Sequence, residues 1–365
     1  MLVQGEPIEL QPPDAMPRPD ARFWRGRRVL LTGHTGFKGA WLTLMLNQLG
    51  AQVTGLALDP DPGPSLFGML RPSLRVDHHV ADLRKPAAVR RVVREADASI
   101  VLHLAAQALV PRGYADPLGT FAVNLGGTLH VLDALRDQPG IEAAVLVTTD
   151  KVYRNAGDGY RFRETDPLGG DDPYSASKAA AEIAVACWRA SFGAALPPLA
   201  TARAGNVIGG GDFAPTRLVP DVVRALDGTA PLTLRYPHAT RPWQHVLDVL
   251  TGYLLLAEHV AARRADATPA MNFAPLDPAE STVLAVIGAF AAAFGRALPW
   301  NRVPDPPPEA PRLALDPALA AGTLGWQPRL GGPAMVRATA DWYAAWRRGD
   351  DMAARCATDV MEALG

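Results

Sequence analysis

The chain has little cysteine, no excess of charge of either sign and no long apolar run. Its two cysteines, Cys187 and Cys356, stand far apart and without metal-ligand spacing. That excludes a disulfide scaffold and a zinc ribbon and fits a reducing compartment, so the cytoplasm is the expected location. Lys and Arg number 36 against 37 Asp and Glu, a net charge of -1, so no broad basic face for nucleic acid is expected. No apolar stretch approaches the roughly 18 residues of a membrane span. The segment "MLVQGEPIELQPPDAMPRPDAR" lacks the basic-then-apolar order of a signal peptide; rich in Pro and Asp, it predicts a mobile tail over 1–22. What remains is a chain of 365 residues, 48% of them hydrophobic, enough for a large α/β unit with a second lobe.

From Phe23 onward short apolar runs alternate with helical patterns. "RRVLLTG", "AQVTGLAL", "LRVDHHV", "SIVLHLA", "AAVLVTT" and "LATARAG" read as strands, and amphipathic segments separate most of them, among them Gly39 to Gly50, "PLGTFAVNLGGTLHVLDALR" and Tyr174 to Phe192. This alternation predicts a Rossmann-type, doubly wound parallel sheet. After Asn206 Gly and Pro become denser. A helix from Val246 and the strand "AMNFAP" return to the sheet. The expected division is a dinucleotide-binding domain over 23–205 and about 240–275, a discontinuous substrate lobe over about 206–239 and 276–350, and a C-terminal extension over 351–365. In open sheets of this kind ligands bind at the carboxyl ends of the strands, where the lobe would sit.

"LLTGHTGFKG" sets Gly33, Gly36 and Gly39 three residues apart between the first strand and the first helix. A tight glycine turn lets backbone approach a pyrophosphate and turns the helix N-terminus toward its charge. Asp59 follows 20 residues beyond Gly39, at the end of the second strand. An acid there accepts from ribose hydroxyls and repels a 2′-phosphate, which favours NAD over NADP. Asp82, in "ADLR", is placed either to accept from an adenine amino group or simply to cap a turn.

"DPYSASKAAAEIAVACW" carries Tyr174 and Lys178 four residues apart, on one helical face, with Asp171 or Asp172 as cap and Pro173 in the first turn. A tyrosine of ordinary pKa about 10 needs nearby positive charge to act as a base. In "LVTTDKVYRN" an acid and a base, Asp150 and Lys151, follow Thr149 directly after a strand. Either they share a proton-transfer task or they form a strand-end salt bridge of small worth. Successive strand side chains point opposite ways, so both reach one substrate only if the chain leaves strand geometry after Thr149.

Together, the glycine turn, the Tyr174-x-x-x-Lys178 pair, "HLAAQ" (His103 to Gln107) and "NLGGT" (Asn124 to Thr128) resemble the extended short-chain dehydrogenase/reductase superfamily over about residues 23–350. The finer resemblance is to the CDP-glucose 4,6-dehydratases, through "TGHTGFKGAWL", "DKVY", "ARAGNVIGGGDFAPTRLVP", "RPWQHV" and "LGW". It implies NAD-dependent loss of water from CDP-glucose or a related nucleotide sugar, for deoxysugar and O-antigen biosynthesis. On it, Tyr174 takes the 4-hydroxyl proton, Thr149 bonds that hydroxyl, Lys151 takes the C5 proton, Asp150 protonates the departing C6 hydroxyl, and Lys178 supports Tyr174. It places Thr35, Phe37, Lys38, Leu83, Leu104, Ala105 and Ala106 beside the cofactor. Gln107, Arg112, Tyr114, Asn206, Arg217, Arg241 and Glu309 would face the substrate.

Several of these readings have plain competitors. Arg217 and Arg241 are equally at home in surface ion pairs. Pro111 and Gly113 depart from the Arg-Arg-Ser-Tyr that relatives carry before the loop tyrosine, so the loop's shape is open. His103, His238 and His245 form no metal pattern and read as hydrogen-bonded core or loop residues; no metal is expected. The small-residue helices at 117–136 and 173–192 either pack on their own sheet or pair across a two-fold, giving a homodimer or a tetramer built from two dimers. Two rival readings stay open: an epimerase or decarboxylase sharing the 4-keto intermediate, and an NAD-binding regulatory scaffold.

Overall fold

The computed structural model describes residues 16–136, 138–228, 231–263, 269–275, 282–306 and 312–365. Seven strands form the central sheet: β1 (Arg28–Thr32), β2 (Gln52–Ala57), β3 (Val76–Val80), β4 (Ile100–His103), β5 (Ala143–Val147), β6 (Leu199–Ala204) and β7 (Ala270–Phe273). Their order is β3-β2-β1-β4-β5-β6-β7, and every neighbouring pair is parallel. The chain starts in the middle, winds outward to one edge, then crosses to the other. The reversal falls beside β1, and opens a crevice at the carboxyl ends of β1 and β4.

Parallel strands covered on both sides need apolar residues at consecutive positions. Val29 and Leu31 of β1 enter one core, and Leu30 enters the other. The first core is capped by α1 (Phe37–Gln48) and α5 (Val246–Arg263). The second is capped by α2 (Pro86–Ala96), α3 (117–135) and α4 (Pro173–Phe192). Helix α2 buries one stripe, Val89, Val92, Val93 and Ala96, at the spacing of a half-covered helix. Helix α1 instead buries all of Gly39 to Asn47. A helix apolar all round needs cover on every side, and α6 (Met352–Leu364) supplies it by packing on α1 and α5. The expected C-terminal extension is therefore part of the core, with Cys356 and Val360 buried.

Part of the segment expected to be a tail is ordered into the fold. Residues 16–22 are placed: Met16 is buried, Asp20 caps a single helical turn (Ala21–Trp24), and Trp24 is wholly enclosed. The long helix expected at 117–136 is interrupted by a π turn at Ala122–Gly126. That turn buries Asn124, whose amide braces the loop after β4 through the backbone of Gln107 and the hydroxyl of Ser177. Beyond β6 short parallel pairs build the second lobe. Val207–Ile208 lies on Gln244–His245, and Leu232–Leu234 on Trp300–Arg302. Tyr343 anchors the lobe by donating to the Asp212 carbonyl, and Trp41 of α1 donates to that of Gly210.

Candidate active site

The glycine turn leaves bare backbone at the head of α1. Gly33 has φ +78, and a Cβ there would come within 2.7 Å of the Ala105 nitrogen. A Cβ on Gly39 would come within 2.0 Å of the Gly33 carbonyl oxygen, so only glycine fits. Gly36 is the N-cap of α1 and gives its amides no side-chain partner. These unpartnered N–H groups at a helix start are the donor set a pyrophosphate needs. Leu104, Ala105, Ala106 and Gln107 border the same crevice as a partly exposed loop after β4. Thr35 donates to the Leu58 carbonyl, tying the turn to the end of β2, and Leu83 is buried in the second core.

Asp59 stands exposed at the end of β2, with His78 Nε2 3.8 Å from its carboxylate. His78 Nδ1 in turn meets buried His34 Nε2 at 2.6 Å, and burial followed by the charge of His78 lowers the His34 pKa to about 4. Asp82 shows the turn role: it accepts from the Arg84 backbone and is gripped by the Arg84 guanidinium, which lowers its pKa. Its carboxylate edge is thus shared before any adenine contact. The dinucleotide site fits NAD in its glycine cradle and its acid at β2; Lys38 and Phe37 are turned elsewhere. Phe37 packs on the first core, and the Lys38 ammonium crosses toward Tyr253 OH at 3.5 Å. Burial, then Arg217 and Lys178, lower the Lys38 pKa to about 7.

The chain does leave strand geometry after Thr149. β5 ends at Val147, Thr149 is an extended N-cap, and Asp150–Val152 form one 3₁₀ turn. Thr149 Oγ1 donates to Asp150 Oδ1 at 2.9 Å. Asp150 is 2% exposed, and its Oδ2 has no hydrogen-bond partner among the described residues. That oxygen faces Gly205, where a side chain would come within 3.1 Å of it and collide with Pro242. Burial raises the Asp150 pKa, against the opposing pull of Lys151, the Thr149 hydroxyl, Arg241 and Lys38. Lys151 is half-buried on the same turn.

Asp172 caps α4 through the Tyr174 and Ser175 amides, with Pro173 in the first turn, and so orients the helix that carries the tyrosine. Tyr174 and Lys178 are both buried, 8% and 5% exposed. Burial pushes the Tyr174 pKa up to about 12, although the Thr149 hydroxyl and Arg217 pull it down; the charge of Asp150 adds to the rise. The strongest cationic influence on the phenol is therefore Arg217 rather than Lys178. Lys178 donates to the Val147 carbonyl at 3.0 Å, and burial lowers its pKa to about 8. Gly113 explains one departure of the loop: it is buried, and a side chain there would come within 3.3 Å of the Tyr174 nitrogen. Pro111 sits in the first turn of the short helix Val110–Ala115.

The expected substrate residues divide. Arg217 pairs with Asp212 at 3.0 Å with its own side chain 33% exposed, so the ion-pair reading holds for it at the rim of the site, whereas Arg241 is 7% exposed and acts on Asp150. Asn206 is half-buried and its carbonyl accepts from Gln244 at the end of the sheet. Arg112 and Tyr114 are exposed on the loop helix near Tyr174. The Gln107 amide donates to Thr120 Oγ1 and accepts from Leu109 N, so in this structure it shapes the loop. Glu309 lies outside the described residues. His103 is a core histidine between Thr32 and Thr128, and burial lowers its pKa to about 3. Among the described residues no group of side chains could hold a metal ion. Sequence reasoning missed Tyr253, whose phenol lies in the electrostatic field of Tyr174 and Asp150; an apolar helix gave no signal for it.

The site's likeness to known proteins runs the same way. The chain is 40% identical to the CDP-glucose 4,6-dehydratase of Salmonella typhimurium over 343 residues, 91% of this chain and 95% of that one. Among solved structures it superposes on UDP-glucose 4-epimerase of Thermus thermophilus in complex with NAD, at 29% identity and TM-score 0.75, covering 87% of this chain and 99% of that one. DesIV, a dTDP-glucose 4,6-dehydratase of Streptomyces venezuelae with NAD bound, shares the fold at TM-score 0.77 and 24% identity, over 88% and 98% of the two chains. Residues 29–268 match the model of the NAD-dependent epimerase/dehydratase family, and the chain belongs to that family.

Proposed function

We propose that the chain removes water from CDP-glucose to give CDP-4-keto-6-deoxyglucose. One observation carries this reading: a buried carboxyl whose pKa is raised and whose Oδ2 lacks a partner sits one residue from an amine and within the field of Tyr174. Oxidation at C4 alone would need only the tyrosine. An acid held toward its protonated form is what a departing hydroxyl requires.

NAD⁺, when held in the glycine cradle, would supply the hydride acceptor for C4, the source of the hydride that C6 regains, and positive charge beside the phenol. Tyr174, raised by burial against the pull of Thr149 and Arg217, would accept the 4-hydroxyl proton once the positive charge of the cofactor lies beside it. The 4-ketone acidifies the C5 proton, which Lys151 takes in its uncharged form. Asp150 gives its proton to the C6 hydroxyl, which leaves as water; as C6 regains hydride, the Lys151 ammonium returns a proton to C5. Arg217, Arg241 and Asn206 would meet the diphosphate and sugar, with Arg112 and Tyr114 over the sugar.

The reading extends to assembly. Leu118 is 83% and Ile183 58% exposed on α3 and α4, an apolar pair that a homodimer would cover. Sedimentation of the protein beside an Ile183→Glu variant tests it. The function itself is tested by turnover with CDP-, dTDP-, GDP- and UDP-glucose, following the keto-sugar chromophore in base. CDP-glucose should be used best. A 4-epimer without a keto sugar would overturn the dehydration reading.

A further inference from the structure

Glu182 lies one helical turn beyond Lys178 and two beyond Tyr174, on the same face of α4. It is 4% exposed, and its carboxylate takes four bonds. Oε1 accepts from Thr148 Oγ1 and from Arg203 Nε at 2.9 Å. Oε2 accepts from Thr201 Oγ1 at 2.7 Å and from Arg203 Nη2 at 2.8 Å. Arg203, on β6, is equally enclosed and sends Nη1 to Tyr153 OH at 2.7 Å and to the Glu164 carbonyl at 3.1 Å. Tyr153 OH passes the chain on to Asn272 Oδ1 at 2.7 Å. Desolvation makes such a pair a poor source of stability, so its presence asks for another reason.

The reason lies in what it joins. Thr148 begins the segment that carries Thr149, Asp150 and Lys151, and Tyr153 ends it. We propose that Glu182 and Arg203 are positioning residues that hold this acid–base segment in register with the helix bearing Tyr174 and Lys178. The inference rests on the dehydration reading above. Elimination needs Asp150 at C6 and Lys151 at C5 of a ring whose C4 stays at Tyr174, and small displacements of reacting groups slow such steps severely. The segment hangs from one ion pair at both ends, so any slack there moves the acid and the base but leaves the tyrosine in place. The Glu182 charge also offsets part of the burial that lowers Lys178.

Thr148→Val and Tyr153→Phe each remove one bond to the pair and keep its charges matched. Thr201→Val is the control, because it removes a bond of the same kind from the same carboxylate at a strand that carries no reacting group. In the NAD-loaded protein with CDP-glucose, the two segment variants should keep KM within about twofold and lose about tenfold in kcat. Reduced cofactor should build up at steady state, and the isotope effect from deuterium at C4 should shrink, since C4 oxidation persists while elimination slows. Thr201→Val should melt lower by a similar amount without that build-up. Build-up in the control, or an even slowing of both steps in the segment variants, overturns the positioning role. Absence of keto sugar from the wild-type protein is a separate readout; it overturns the dehydration reading and this inference with it.

Discussion

Two buried polar clusters sit back to back at the end of β5, and they are built on opposite terms. In the Glu182–Arg203 cluster every carboxylate oxygen has two donors, and the guanidinium is gripped on three sides. In the neighbouring cluster Asp150 Oδ2 has no partner, Tyr174 is pushed up to about 12, Lys178 down to about 8 and Lys38 down to about 7. Both clusters are buried, so desolvation acts on both. Where hydrogen bonds answer it, charge stays fixed and the cluster becomes a brace. Where they do not, burial moves the acid and the two lysines toward neutrality and the phenol away from it, so the acid and amines are readied to pass protons while Tyr174 needs nearby positive charge to ionise. The lesson is that burial alone makes neither a scaffold nor a catalyst; the completeness of the hydrogen bonding decides which.

The largest effect should come from breaking the incomplete cluster. Lys151→Ala should lower keto-sugar formation by about 10³-fold, within the usual range for removal of a general base. Bound cofactor should still be reduced on addition of substrate, because Tyr174 and Thr149 are untouched. Full turnover by that variant would remove Lys151 from the mechanism. Breaking the complete cluster should be felt first as stability. Glu182→Leu strands Arg203 in the core and should cost about 3–5 kcal/mol by chemical denaturation. Replacing both, with Glu182→Leu and Arg203→Met, should recover much of that loss. If the double change is no better than the single, the pair is itself a stabiliser and the contrast drawn above fails.

How far the sequence foretold this arrangement depends on how local each cause is. The parallel strands were legible because strands covered on both faces must be apolar throughout, as "RVLLT" is. The glycine turn was legible because Gly33 and Gly39 are forced by contacts within a few residues and with one adjacent loop. Tyr174 and Lys178 followed from helical spacing. The 3₁₀ turn that swings Asp150 off the strand was not, since it depends on Gly205 and Pro242 leaving room from another strand. The π turn around Asn124, the core role of Met352–Leu364 and the approach of Tyr253 are likewise set by partners distant in the chain. The bonds of the Gln107 amide to Thr120 and Leu109 were also illegible, since they depend on how the loop folds back on its helix.

A smaller effect sharpens the comparison by its sign. The folded-state pKa of Asp150 is raised, so the folded protein binds that proton more tightly than the unfolded chain. The associated stability is present at low pH and is lost as pH rises through the carboxylate range. Ionising this buried acid therefore costs the fold stability. Asp150→Asn should raise Tm by about 1–3 °C near pH 7 while water elimination is abolished. A fall in Tm would mean that Lys151, Arg241 and Lys38 hold the carboxylate ionised, and that the acid role belongs elsewhere.

The smallest effect belongs to a third site that is intermediate between the two clusters. Glu258 of α5 is half-buried, and its Oε1 accepts from Trp24 Nε1 at 2.6 Å and from the Asp20 amide at 2.9 Å. The bonds are real but incomplete, and burial raises its pKa from 4.5 to about 7. The sign is again that of a raised acid: the contribution is whole below pH 4.5 and is lost as pH rises toward about 7. The strap at residues 16–24 should therefore loosen slightly across that interval. Glu258→Gln keeps an acceptor for Trp24 and removes the titration, so it should flatten the dependence of Tm on pH between those limits. Trp24 fluorescence reports the same change locally. An unaltered slope in the variant would assign the pH dependence to other buried acids, with Asp248 next in line because burial raises it to about 6.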